Sequence, residues 1–196
     1  VLHTWGNASG IDRERGVVAI KPSGVPYAEL TPAHMVLVDL DNRVLAGDLR
    51  PSSDTRTHTL LYRRFADIGG VVHTHSTHAT AWCQARRALP CYGTTHADYC
   101  HGPVPCTAVM DAEACARDYE EATGEQIVDA FAGLDPVATP MVLVAGHAPF
   151  TWGGDVDAAV HHAAVLEEIA RMAALTPQLD AAAEALPTHI RDTHYR

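Results

Sequence analysis

A chain of 196 residues, 47% hydrophobic and 19% charged, has the length and apolar content to bury a sizeable core without disulfide staples. Its formal net charge of -10 excludes a general nucleic-acid or anionic-membrane surface, so any bound anion must be held by local donors and not by a basic face. The five cysteines are odd in number and form no C-x-x-C pair, which fits a reducing cytosol, and neither a spanning apolar run nor a signal-peptide pattern is present.

In chain order, "GVVAIK" (16–21) and "HMVLVDL" (34–40) are short, β-branched runs bounded by polar or turn residues, as buried strands are. "SDTRTHTLLYRRFADI" (53–68) follows with apolar residues at helical spacing. "GVVHTHS" (70–76) is again a strand, "THATAWCQARR" (77–87) and "DAEACARDYEEAT" (111–123) are helices, and "PMVLVAG" (140–146) is a further strand. The long "DVDAAVHHAAVLEEIARMAAL" (155–175) is a helix behind an acidic start. No repeat or linker divides the chain, so one domain over 1–196 is expected, incomplete at both ends because both termini look abrupt. Strands come early and helices late, and helices must cover both sheet faces. The expected fold is therefore α/β, a three-layer α/β/α sandwich around a largely antiparallel sheet. No G-x-G-x-x-G or Walker-type loop is present, which removes the commonest nucleotide-binding reading.

"GGVVHTHSTHAT" (69–80) places three histidines within six positions. In a strand, alternate side chains share a face, so His73 and His75 reach one ion while Thr74 points away. His78 lies past the strand end, in the first turn of the next helix, and is read as a capping or packing residue. "VLVAGHAPF" supplies His147 directly after another buried strand and a glycine. Three imidazoles from two strand ends leave a coordination position open, as catalytic zinc sites do, so His73, His75 and His147 are expected to hold Zn²⁺. Such a donor set also accepts other divalent ions. His58, His161 and His162 sit on predicted helices and are assigned no role.

Two loops resemble each other. "IKPSGV" (20–25) and "LRPSSD" (49–54) each carry a basic residue, a proline and serine. Proline stiffens the turn, Gly24 permits close backbone approach, and Ser23, Ser52 and Ser53 supply donors; the second loop also opens a helix, whose N-terminus attracts anions. Together they suit a phosphate. Asp54 reads either as a helix N-terminal acid or as a carboxylate near the metal.

Taken together, "TWGNAS", "IKPSGV", "RPSSDT", "VVHTHS", "GTTHADY", "YEEATGE" and "GHAPFTWG" closely resemble the bacterial L-ribulose-5-phosphate 4-epimerases of the class II aldolase/epimerase superfamily, nearly end to end. The resemblance implies a zinc enzyme acting on a phosphorylated ketopentose in the cytoplasm, without nucleic-acid or membrane partners. It also implies a cyclic homotetramer with active sites between neighbouring subunits. Carried over position by position, Asn7, Lys21, Ser23, Gly24, Ser52 and Ser53 match residues that hold the substrate phosphate or an adjoining oxygen. Asp54 matches the carboxylate counted with the zinc site beside His73, His75 and His147, and Asp98 matches an acid/base. Thr94 and Glu120 match residues that reach a neighbouring subunit's site, and His194 matches a further substrate-side residue. The family's second acid/base, a tyrosine, falls beyond Arg196, and its first helix is missing.

The chemistry this implies is a retro-aldol cleavage of C3–C4, rotation of the two-carbon aldehyde phosphate, and re-addition on its other face. Two acid/base groups on opposite sides are needed for it. The nearest alternative is a zinc aldolase of the fuculose 1-phosphate type, which carries Glu where this chain has Asp54. A non-catalytic adducin-like module is disfavoured by the intact histidines and Asp98.

Overall fold

The computed structural model describes residues 5–195. The chain opens with a hairpin, β1 (Asn7–Asp12) and β2 (Val17–Ile20), and a second hairpin follows, β3 (Val36–Asp39) and β4 (Val44–Ala46). Asp39 shapes the second turn: its Oδ1 accepts from the amides of Asp41 and Arg43, and Asn42 takes the left-handed conformation that a short polar side chain tolerates. Next come α1 (Thr55–Arg64), β5 (Gly70–His73) and α2 (Thr77–Ala85), then the short α3 (Thr94–Ala97).

The segment expected as one helix over 111–123 is two, α4 (Ala112–Arg117) and α5 (Tyr119–Ala130). Asp118 divides them: its backbone is extended (φ -168°, ψ 102°) and its side chain accepts from Glu121 N, so it ends one helix and caps the next. A third hairpin, β6 (Met141–Leu143) and β7 (Pro149–Gly153), leads into α6 (Val156–Leu179), capped by Asp155 through Ala158 N at 2.8 Å. The short α7 (Thr188–His194) closes the described chain.

The seven strands form one sheet in the order β4-β3-β2-β1-β5-β7-β6, and every named pair is antiparallel. Helices cover both faces. Val18, Ile20, Val36, Val38, Val71, Val142, Phe150 and Trp152 pack with Leu61, Tyr62 and Phe65 from α1 and its end, and with Ile127 and Phe131 from α5 and its end. On the other face, Met141 and Leu143 pack with Ala79 and Cys83 of α2 and with Leu166, Ile169 and Ala170 of α6. The alternation Met141/Val142/Leu143/Val144 between the two clusters is the period-2 signature of a strand buried on both sides. Each fully buried side chain of this size contributes about 1.5–3 kcal/mol relative to exposure. This is the three-layer α/β/α arrangement with an antiparallel sheet.

One polar group is built into that core. Ser9 of β1 is 2% exposed, and its Oγ lies 2.7 Å from His58 Nδ1 and 2.9 Å from Tyr62 Oη, both on α1. Burial holds the His58 imidazole down at about 3, so it stays neutral and structural. His161 meets Tyr99 Oη and His162 meets the Trp152 carbonyl. All five cysteines are free. Among the described residues no helix is long and apolar enough to cross a membrane.

Candidate metal centre and active-site cavity

β5 lies mid-sheet, and its last residue, His73, pairs with Asn7 on β1 and Phe150 on β7. The His73 ring stacks on Phe150 at 4.3 Å, and its Nδ1 donates to the Pro149 carbonyl at 3.0 Å, the tautomer that leaves Nε2 free to bind an ion. The strand expected over 70–76 stops here. His75 therefore reaches the centre from the turn after the ladder, not by strand alternation, and its Nε2 lies 3.0 Å from that of His73. His147 likewise sits in a turn: its amide donates to Val144 O at 3.0 Å, with Gly146 at φ +75°, a conformation glycine adopts without the Cβ penalty. With Nδ1–H donating to Tyr119 Oη at 2.9 Å, His147 Nε2 is left for an ion.

The ligand atoms of the three histidines all lie within 4.8 Å of one another. Burial first, then His147, pulls the His73 imidazole down to about 3. Burial also lowers His75 and His147, with Asp54 opposing. All three are neutral at pH 7 and carry lone pairs, which is the state a metal requires. Three nitrogens with an open side toward a cavity suit zinc or a neighbouring divalent ion. His78, as expected of a helix-start residue, lies on the first turn of α2 bonded to Glu167 and outside this group.

The two similar loops meet. Ser23 N donates to Arg50 O at 2.9 Å, Ser52 N donates to Lys21 O at 3.2 Å, and Pro22 bridges Pro51. Asn7 Nδ2 joins them to the metal side, donating to Ser52 Oγ at 2.9 Å and Asp54 Oδ2 at 2.5 Å. Together with Ser53 and Gly24 they line one cavity of about 520 Å³, whose other wall is His73, His75 and His147. Lys21 is 4% exposed, and its ammonium, its pKa lowered by burial, bonds the Pro22 carbonyl and faces the Tyr27 ring at 4.8 Å. No carboxylate pairs with it among the described residues. A buried cation without an anion is costly, and an anionic ligand relieves the cost. Gly6 forms the rim at φ +75°; a Cβ there would meet His73 O at 2.4 Å.

Residues 1–174 match the family model described as the class II aldolase and adducin N-terminal domain. The chain belongs to this family. It is 49% identical over 195 residues, covering 100% of this chain and 86% of the relative, to the L-ribulose-5-phosphate 4-epimerase UlaF of Salmonella paratyphi B, and equally to that of Salmonella typhi. Among solved structures, an L-fuculose 1-phosphate aldolase shares the fold with a TM-score of 0.81 at 24% identity, covering 97% of this chain and 84% of the other. YgbL from Klebsiella pneumoniae, titled a putative aldolase/epimerase/decarboxylase, gives 0.75 at 23% identity over 97% and 86%.

Only some of the further residues expected from the class II aldolase resemblance line this cavity. Asp54 lines it at the start of α1, where its Oδ2 accepts from Asn7 and its charge acts on His75 and His147. Glu120, expected to reach a neighbour's site, lines the cavity of its own chain. α5 packs on α1, and Thr57 Oγ1 donates to Glu120 O at 2.6 Å, which pins that helix start beside Asp54. Asp98 and Thr94, at the two ends of α3, and His194 of α7 do not line it; instead Asp98 Oδ1 lies 3.0 Å from His194 Nδ1. The family tyrosine expected beyond Arg196 and the family's first helix lie outside the described residues.

Three cavity residues were not anticipated, Trp5, Gly6 and Tyr119. Tyr119 directly precedes Glu120 in "YEEATGE", which was its only signal; its partner His147 is 28 positions away. Tyr119→Phe removes the acceptor that orients His147, and is expected to weaken metal binding about tenfold, the lower end for loss of such a supporting bond. Competition with a chelator measures this, and wild-type affinity in the variant would remove Tyr119 from the centre's support.

Proposed function

We propose that this chain interconverts L-ribulose 5-phosphate and D-xylulose 5-phosphate by inversion at C4, using Zn²⁺ or a similar divalent ion held by His73, His75 and His147. The observation that carries the reading is the buried Lys21, with no carboxylate partner among the described residues, on a serine-lined double loop in one cavity with three neutral imidazoles. One end suits a phosphate and the other a metal, at the two ends of a small sugar. The name of relatives 49% identical selects the substrate.

When bound by His73, His75 and His147, the ion would supply Lewis acidity to substrate oxygens. Lys21, Ser23, Gly24, Ser52 and Ser53 bind the phosphate and keep the two-carbon fragment in place while it turns. A base takes the C4 hydroxyl proton, the C3–C4 bond breaks with its electron pair passing toward the C2 carbonyl, and a two-carbon aldehyde remains. After rotation the pair attacks the other face, and the new C4 alkoxide takes a proton from an acid on that side. Asp98, brought by a neighbouring subunit of a cyclic homotetramer, is one of these groups, with Thr94 and His194 beside it. The other is the group that the family resemblance gives as a tyrosine. Asn7 and Glu120 hold substrate oxygens, and Asp54 holds Asn7. A cytoplasmic setting fits the free cysteines.

The second reading, a sugar-phosphate aldolase, draws on the fold shared with an L-fuculose 1-phosphate aldolase. NMR of L-ribulose 5-phosphate incubated with the zinc-loaded protein separates them. D-xylulose 5-phosphate is the expected product; free glycolaldehyde phosphate with dihydroxyacetone would point to the aldolase, and an unchanged spectrum would reject both. In the same assay Lys21→Gln is expected to raise KM roughly 10- to 100-fold with metal content unchanged, since a hydrogen bond to a charged group contributes about 1.5–3 kcal/mol. An unchanged KM would remove Lys21 from phosphate binding.

A further inference from the structure

We propose that Glu167 is a positioning residue for the three-histidine centre, acting through α2; the inference rests on the metal reading above. Glu167 lies on α6, and its carboxylate reaches the start of α2. Both oxygens accept from His78 N at 3.0 Å, Oε2 also accepts from Ala79 N at 3.0 Å, and Oε1 lies 2.8 Å from His78 Nδ1. Burial raises the Glu167 carboxyl, but these bonds and one from the Ser76 side chain outweigh it, so the group stays an ionised acceptor.

The first turn of a helix leaves amides without partners, and a side chain at the N-cap ordinarily accepts from one of them. Ser76, the N-cap of α2, makes no such bond. Glu167 does that work from another helix, and its negative charge suits the helix start. His75 stands two residues before Thr77, beyond the end of the β5 ladder, so the regular element nearest it on that side is the turn Glu167 holds. The far end of α2 touches a second ligand loop: the Cys83 carbonyl accepts from Gly146 N at 2.8 Å, beside His147. A further tie to α6 runs from Trp82 Nε1 to Ala170 O at 3.0 Å. Two of the three ligand segments thus flank one helix, and a single carboxylate anchors its start. His73, locked in the sheet, does not depend on it.

The test is titration of the metal-free protein with Co²⁺, followed by visible absorption, which reports affinity and ligand geometry together. Glu167→Ala is expected to weaken Co²⁺ binding about tenfold and to alter the ligand-field bands. Glu167→Gln, which keeps one acceptor oxygen, falls between that variant and wild type. Glu168→Ala, which removes the adjacent, mostly exposed side chain, leaves both unchanged. Thermal melts of the metal-free proteins separate general destabilisation from the effect on the centre. A folded Glu167→Ala protein with wild-type affinity and spectrum overturns the proposal. Should that variant not fold, wild-type affinity and bands in Glu167→Gln overturn it and weakened binding supports it. A wild-type protein that takes up no Co²⁺ rejects the metal reading and this inference with it, a result distinct from a variant that binds normally.

Discussion

His73→Asn is expected to lose metal and activity together, with kcat falling about a thousandfold or more. Lewis-acid stabilisation by a bound ion contributes several kcal/mol to such a reaction, and each 1.36 kcal/mol is tenfold in rate. Asparagine is too short to present a nitrogen where His73 Nε2 stands, although its amide nitrogen, at the place of Nδ1, can still donate to the Pro149 carbonyl. His75 and His147, both outside the strands, remain as a pair with no ligand anchored in the sheet. His73 is also 2% exposed, so the shorter amide leaves polar atoms and space unfilled and lowers stability by about 1–3 kcal/mol. Elemental analysis of the purified variant, kcat, and the melting midpoint of both metal-free proteins separate these effects. Full activity with stoichiometric loss of metal would end the metal-assisted account.

Asp98→Asn is expected to keep metal and fold but to lose about 10²- to 10⁴-fold in epimerisation, the range for removal of a positioned acid/base. Asp98 does not line its own chain's cavity, so the group it serves belongs to another subunit in the proposed assembly. Mixing supplies the sharper measurement. When Asp98→Asn and His73→Asn chains are unfolded and refolded together in equal amounts, about one site in four pairs an intact histidine set with an intact Asp98, if the interface is heterologous and closes into a ring. Activity near a quarter of wild type is expected from two inactive parents. If every site were contained in one chain, each would still carry a defect and the mixture would stay inactive, which would reject the shared site while leaving the metal chemistry standing. Asp98 also contacts His194 at 3.0 Å, so His194→Ala tests whether that contact orients the carboxylate.

The strands that were legible in the sequence are those whose side chains announce burial. Val17, Val18, Val36, Val38, Val71, Val72, Val142 and Val144 lie in short β-branched runs, and all fall in or beside β2, β3, β5 and β6. The three missed strands carry mixed signals. β1 reads "NASGID", in which Ala8 and Ile11 stand among polar and turn-forming residues. β4 is three residues long and exposed at the sheet edge, and β7 begins with proline and ends with glycine. Local signals mark none of them clearly; pairing and packing with distant segments decide.

Sequence alone marked the three histidines and the two serine loops. His-x-His after two glycines and two valines, a third histidine after a strand and a glycine, and two Pro-Ser loops are local patterns, and each implies its own chemistry without knowledge of the fold. The tertiary structure decided how they meet. β1 accepts Ser9 in its interior because His58 and Tyr62, 49 and 53 positions away, satisfy its hydroxyl. His75 joins His73 from beyond the ladder, since the turn leading into α2 redirects the chain. The two loops become one cradle through backbone bonds between residues about thirty positions apart, and Tyr119 arrives because α5 packs on α1. Periodicity and turn chemistry report what a residue prefers among its near neighbours. The hydrogen bonds and burial that overrule such preferences exist only once segments far apart in the chain are brought into contact.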